Sequence, residues 1–142
     1  MTINQISVFV ENKPGKLAEI TKILADANID LHAMSIADTQ DFGILRIIVN
    51  DTDAALSALR ENGCTVNTTK VIAVEMPDRP GGLAKVLRVL AEKNVNVEYL
   101  YAFISRKKEN AYVILRVEDN TIAIDVLQTA GISIVSPEQI YG

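Results

Sequence analysis

Cysteine is close to absent from this chain. Cys64 stands alone among 142 residues, so no intrachain disulfide forms, and the composition suits a reducing cytoplasm. No apolar run reaches the ~18 residues that a membrane-spanning helix needs, so no membrane partner is expected. The N-terminus enters a strand pattern directly, and no signal peptide is expected there. Neither sign of charge gathers into a block. The net charge of −4 is spread along the chain, which argues against nucleic acid as the main partner. No metal-ligand spacing, phosphate-binding loop or catalytic triad pattern occurs, so no metal, cofactor or catalytic residue is assigned.

What is present is a repeat. Asn12-Lys13-Pro14-Gly15-Lys16-Leu17-Ala18 returns 66 positions later as Asp78-Arg79-Pro80-Gly81-Gly82-Leu83-Ala84. The register holds through Ile20 and Val86, Leu24 and Leu90, Asn28 and Asn94. Further on, Gly63 answers Gly131 at an offset of 68, so the second copy carries two extra residues before its third strand. Such a duplication places the domain boundary, giving domains at 1–69 and 70–142. Each is near the lower size limit for folding alone, so the halves are expected to share an interface or to dimerise.

Within the first copy, residues 6–10 alternate as a strand. Pro14 and Gly15 make a turn, and Leu17, Ile20, Leu24 and Ala27 recur at helical spacing. Strands follow at 29–37 and 44–49, separated by a polar turn at 38–43. Asp51-Thr52-Asp53 reads as the start of a second helix, with an oxygen side chain ready to cap it, Gly63 stops it, and 65–68 form the last strand. The second copy repeats the order: strand 71–75, helix 82–93, strand 95–104, a charged turn at 105–110, and strand 111–117. Asn120 then caps a helix, and 132–135 form a strand. The order βαββαβ, twice, is an α+β fold of two ferredoxin-like repeats, each an antiparallel sheet with both helices on one face. Leu45, Ile47, Val49, Val113, Leu115 and Val117 are expected to face the helices. The opposite face carries Ile44, Arg46, Ile48, Tyr112, Ile114 and Arg116. The second strand of the second copy is apolar on both sides where a sheet open to water would alternate more cleanly, so the sheets are expected to pair or pack.

The turn between first strand and first helix is the candidate site. A helix that starts directly after a Pro-Gly bend presents free backbone N–H groups to an anion such as a carboxylate. Asn12 and Asp78 occupy equivalent places and suit a ligand's ammonium group. Gly81-Gly82 removes side chains where the backbone must approach closely. Recurrence of the motif equally fits duplication of a plain structural turn.

Both turns resemble the opening motif of ACT domains. Asn28-Ile29-Asp30-Leu31 and Asn94-Val95-Asn96-Val97 resemble that family's entry into its second strand. The resemblance spans essentially the whole chain as two ACT domains. It implies a small-molecule sensor, mostly of amino acids, with the ligand held near the interface of paired domains by the first turn of one. Carried over, the ligand-binding residues are Asn12, Pro14, Gly15, Lys16 and Leu17, with Asp78, Arg79, Pro80, Gly81, Gly82 and Leu83 in the second domain. It implies a free amino acid as partner, a homodimer, and an enzyme of amino-acid metabolism as the regulated target. The chain departs from common practice in showing no catalytic domain, so no enzymatic activity is expected.

Other residues carry weaker readings. His32 is either an exposed strand histidine or a ligand contact; Cys64, after Gly63, reads as a small buried thiol. Tyr99, Tyr101 and Phe103 read as core, interface or a stacking surface, where the first copy has the small Ala33, Ser35 and Ala37. Arg106-Lys107-Lys108 reads as a solvated turn. Three alternatives stand beside the sensor: a separate regulatory subunit like the small subunit of acetolactate synthase, a small enzyme such as an acylphosphatase using Arg79 and Asn94, and a ligand-free oligomerisation scaffold.

Overall fold

A computed structural model describes residues 1–38, 41–104 and 109–141. Its elements run β1 (Ile3–Glu11), α1 (Lys16–Asp26), β2 (Leu31–Asp38), β3 (Phe42–Val49), α2 (Thr52–Glu61) and β4 (Val66–Pro77). They continue as α3 (Gly82–Glu92), β5 (Val97–Ile104), β6 (Asn110–Val117), α4 (Asn120–Thr129), β7 (Ser133–Ile134) and α5 (Pro137–Tyr141). The chain divides into two compact units, one built on Asn4–Thr69 and the other on Lys70–Ile140 together with Met1–Ile3.

In the first unit, β1 pairs antiparallel with β3, aligning Ile6 with Ile47 and Val8 with Leu45. On its other side the Phe9 N–H donates to the Thr65 carbonyl at 3.0 Å. β2 lies at the edge, beyond β3. Period-2 alternation sends Ile6, Val8, Val10, Leu45, Ile47 and Val49 to one face, where they meet Ile20 and Leu24 of α1 and Ala55, Leu56 and Leu59 of α2. Each fully buried branched side chain there contributes about 1.5–3 kcal/mol of transfer free energy. The second unit repeats this. The latter part of β4 lies between β7 and β6, with β5 at the edge, and Val113, Leu115 and Val117 join Val86, Leu90, Ala123 and Leu127 in the core. Both units therefore have the expected ferredoxin-like plan, with the expected residues facing the helices. On the opposite face Ile48 and Ala33 of the first unit are buried. So are Ala73, Ile114, Tyr101 and Tyr112 of the second. The Phe103 ring meets Tyr112 edge-on, 5.3 Å between centroids.

All four long helices stop by one device. The chain turns left-handed at Asn28, Gly63, Asn94 and Gly131, with φ of 58, 79, 57 and 79°. The next residue's N–H then reaches back to the last turn: Ile29 to Leu24, Cys64 to Leu59, Val95 to Leu90, Ile132 to Leu127, at 2.9 to 3.0 Å. Each of these donors is apolar and packs against its core, which fixes the exit direction.

Three details differ from the sequence expectation. The strands expected at 65–68 and 71–75 are one strand, β4, running through Thr69 and Lys70. Asp119, not Asn120, caps α4: its carboxylate accepts from the Ile122 N–H, while the Asn120 amide donates to the Lys70 carbonyl. A fifth helix, α5, follows β7. Its start carries one half of a capping box: Gln139 Oε1 accepts from the Ser136 N–H at 2.8 Å and from the Ser136 hydroxyl at 3.1 Å, with Pro137 in the first helical position. The turn at 38–43 falls partly, and Arg106-Lys107-Lys108 wholly, outside the described residues.

Candidate functional site

The two Pro-Gly turns superpose bond for bond. Asn12 and Asp78 donate their N–H to the Asp41 and Glu109 carbonyls (3.0 and 2.8 Å), and Lys13 and Arg79 to those of Glu11 and Pro77 (2.8 and 3.0 Å). Lys16 and Gly82 donate to Lys13 and Arg79 (3.3 and 3.1 Å), and Glu19 and Lys85 to Gly15 and Gly81 (3.0 and 3.1 Å). Gly15 and Gly81 sit at φ 86 and 87° with ψ −9° in both, the left-handed region that glycine enters without strain. No side chain caps α1 or α3. One expectation needs correcting: the Lys16 and Gly82 N–H groups are already spent inside the turn. The next N–H groups along each helix are those of Leu17 and Leu83. Asn12, Pro14, Gly15, Asp78, Arg79, Pro80 and Gly81 are exposed, Lys16, Gly82 and Leu83 half-buried, and Leu17 is 42% exposed.

Gly82 has its own reason to lack a side chain. A Cβ built there overlaps the Pro77 carbonyl oxygen, whereas one built at Gly81 meets nothing within 4 Å. The close approach inferred from Gly81-Gly82 therefore belongs to Gly82 and to the chain itself. Gly81 is required by its φ.

Beside each turn lies a cleft that the sequence did not reveal. In the first unit it measures about 520 Å³, between the end of β1, the first turns of α1 and the exit from α2; Phe9, Glu11, Lys16, Glu19, Phe42 and Cys64 line it. In the second it measures about 530 Å³ at the equivalent place, lined by Glu75, Arg79, Gly82, Lys85, Asn110 and Ile132. The paired residues keep the repeat offsets but not their chemistry: Phe9 becomes Glu75, Glu19 becomes Lys85, Phe42 becomes Asn110, Cys64 becomes Ile132. In the first cleft Lys16 meets Glu19 at 3.4 Å, and Glu11 is paired at 2.9 Å with Lys13, which lies beyond the cleft wall. The Lys13 hydrogen bond, then its charge and that of Lys16, hold the Glu11 carboxyl below the usual range. A smaller pocket of about 70 Å³ opens on the other side of the first turn, against Asn12, Lys13, Leu17 and Ile36.

Cys64 is half-buried and packs against the first core, as its place after Gly63 suggested. Burial, and then the nearby Glu19 carboxylate, push its thiol pKa up, which keeps it protonated and a poor nucleophile near neutrality. Removing that charge in Glu19→Gln should shift the pH–rate profile of Cys64 alkylation to lower pH. An unmoved profile would show that Glu19 has no hold on the thiol. His32 is half-buried rather than exposed, beside the irregularity in β2 pairing. Its counterpart Glu98 forms an ion pair with Arg116 at 3.4 Å. Tyr101 is buried, and Tyr99 and Phe103 half-buried, so they are packing residues rather than an open stacking platform. Among the described residues no group of His, Cys, Asp and Glu could hold a metal ion, and no helix is long and apolar enough to cross a membrane.

Comparison with known proteins places this geometry. A protein from Bacteroides thetaiotaomicron, solved by crystallography, has 41% sequence identity and a TM-score of 0.93, covering 99% of this chain and 96% of its own. The fold is shared with the ligand-free regulatory subunit of aspartate kinase from Thermus thermophilus (19% identity, TM-score 0.64, covering 89% of this chain and 91% of that one). It is likewise shared with the regulatory subunit of aspartate kinase from Thermus flavus (19%, 0.64, 90% and 92%). No curated protein matches the sequence. The profile of the family described as an ACT domain pair matches residues 1–141, and the chain belongs to that family.

Proposed function

We propose that this chain is a non-catalytic, cytoplasmic regulatory protein that binds a free amino acid at the turns at 12–17 and 78–83 and reports its concentration to an enzyme of amino-acid metabolism. The observation that carries the reading is the twofold recurrence of one turn, with φ and ψ matched to about a degree, leading into an 11-residue helix that no side chain caps. A carboxylate at that end meets the Leu17 or Leu83 N–H and the favourable end of the helix dipole. The fold shared with chains described as regulatory subunits of aspartate kinase supports a regulatory part played without a catalytic domain. Signalling would work by linkage: the amino acid favours whichever arrangement it binds better, by no more than its differential affinity.

The chain would act as a homodimer. β2 is an edge strand whose Met34 and Ile36 are 54% and 49% exposed, beside the exposed Leu17, an apolar margin suited to a second copy. A monomeric mass in solution would remove this part of the proposal.

Thermal unfolding against each of the twenty amino acids tests the central reading. A ligand at 100 times its Kd stabilises the native state by about 2.7 kcal/mol. The expected result is a rise for one chemical group of amino acids, lost in Gly81→Val, where the left-handed turn cannot accept a β-branched residue. No rise with any of the twenty would overturn the reading.

A further inference from the structure

The two clefts have the same place in the fold and nearly the same volume, about 520 and 530 Å³, within the ~300–1,000 Å³ of small-molecule sites. Their charges differ in a definite way. The first cleft is walled by two carboxylates, Glu11 and Glu19, and one lysine, Lys16, which is ion-paired with Glu19 at 3.4 Å. Arg79 and Lys85 both border the second, and neither has an ion-pair partner among the described residues. The residue equivalent to Lys85 is Glu19, so one helix position carries opposite charge in the two copies. The second cleft also holds one carboxylate, Glu75, oriented by the Asn110 amide, which donates to its Oε1 at 2.9 Å. Its counterpart in the first cleft is Phe9, which has no polar group.

Two cations and one carboxylate around a small cleft are the charge complement of a molecule with two carboxylates and one ammonium. We infer that the cleft of the second unit takes an acidic amino acid, one with a side-chain carboxylate, and that the first cleft does not. This rests on the amino-acid-binding reading and gives it a ligand class. Arg79 and Lys85 receive the two carboxylates, and Glu75, held in place by Asn110, receives the ammonium. Charge-assisted hydrogen bonds of this kind are about twice as strong as neutral ones. In the first cleft the same ligand would meet Glu19 where the second offers Lys85, and a phenyl ring where the second offers Glu75. The Glu11 and Glu19 carboxylates would repel it.

Calorimetric titration of the whole protein with aspartate, glutamate, asparagine and glutamine decides the matter, with thermal unfolding against all twenty amino acids alongside. Aspartate or glutamate should bind, and its amide, which keeps the shape and loses one charge, should bind at least ~30-fold more weakly. Lys85→Glu, which copies the first cleft's charge onto an exposed helix position, should weaken binding of the acid by at least ~30-fold. Lys85→Arg should keep most of the affinity, and Phe42→Ala in the first cleft should leave it unchanged. If the amides bind as well as the acids, or if Lys85→Glu and Arg79→Met both leave Kd within about threefold, the acidic class is wrong. If another amino acid binds and the acids do not, the inference falls while the sensor reading stands. If none of the twenty binds, the sensor reading falls and takes the inference with it.

Discussion

Gly82→Ala is expected to destabilise the protein by about 2–4 kcal/mol, although it adds one methyl group to the start of a helix, where alanine is ordinarily preferred to glycine. The reason is backbone on backbone. The new Cβ would overlap the Pro77 carbonyl oxygen. That oxygen cannot swing aside cheaply, because it already accepts the Arg79 N–H at 3.0 Å and its residue ends β4, paired with Asn110. Relief requires opening the turn or shifting α3, and either disturbs the packing of Val86 and Leu90. A thermal melt should show a fall in Tm of roughly 5–15 °C. The control lies in the other copy. Lys16 occupies the equivalent position and already carries a Cβ, so Lys16→Ala should change stability by only ~0.5 kcal/mol, the loss of an exposed ion pair with Glu19. Equal melts for Gly82→Ala and wild type would mean that the approach of Gly82 to Pro77 is not as close as described.

This difference between copies bears on how far the site could be read beforehand. Pro14, Gly15, Pro80 and Gly81 are adjacent in sequence and impose their turn locally through φ, so the turn was legible. The two glycines at 81–82 were read together as room for a ligand, yet each answers a different demand. Gly81 supplies a left-handed φ, and Gly82 makes room for the chain's own carbonyl. That distinction needs the position of residue 77 relative to 82, which no local rule supplies.

The cores were legible for a related reason. Ile20 and Leu24, or Val113, Leu115 and Val117, declare their face by period, and the duplication confirms each assignment with a second copy. The clefts were not legible, because each joins three stretches: a strand end, a helix start, and the residues after Gly63 or Gly131. Only folding makes these neighbours. A hint existed in Lys85, one helical turn beyond Gly81 and opposite in charge to Glu19. The continuity of β4 was hidden by the polar Thr69 and Lys70, which fall between the two expected strands although each can sit in a strand. The helix α5 announced itself as Ser136-Pro137-Glu138-Gln139, a serine and glutamine three apart with proline at the first helical position, and was missed only because the pattern is short.

Leu90→Ala is expected to cost about 2.7–5 kcal/mol, the lost transfer free energy of the side chain together with the cavity left behind. Leu90 is fully buried in the second core, among Val86, Val113, Leu115 and Leu127. Its backbone cannot relax toward the void. The Leu90 carbonyl accepts both the Lys93 and Val95 N–H groups that end α3, so the helix terminus is pinned at the point where the side chain is lost. A unit of this size has roughly 4–10 kcal/mol of total stability. The truncation therefore brings the second unit close to its unfolding limit at ambient temperature, and Leu24→Ala should do the same to the first. These two variants give the ligand question its most sensitive readout. An amino acid that binds only near α3 should restore part of the loss in Leu90→Ala, by about 2.7 kcal/mol at 100 times its Kd, and leave the transition of Leu24→Ala unmoved where the two units melt separately. Recovery in both variants would instead mean that both turns are occupied, or that the units melt as one. A loss below about 1 kcal/mol on truncating Leu90 would show that the core closes over the missing side chain, against the tight packing around α3.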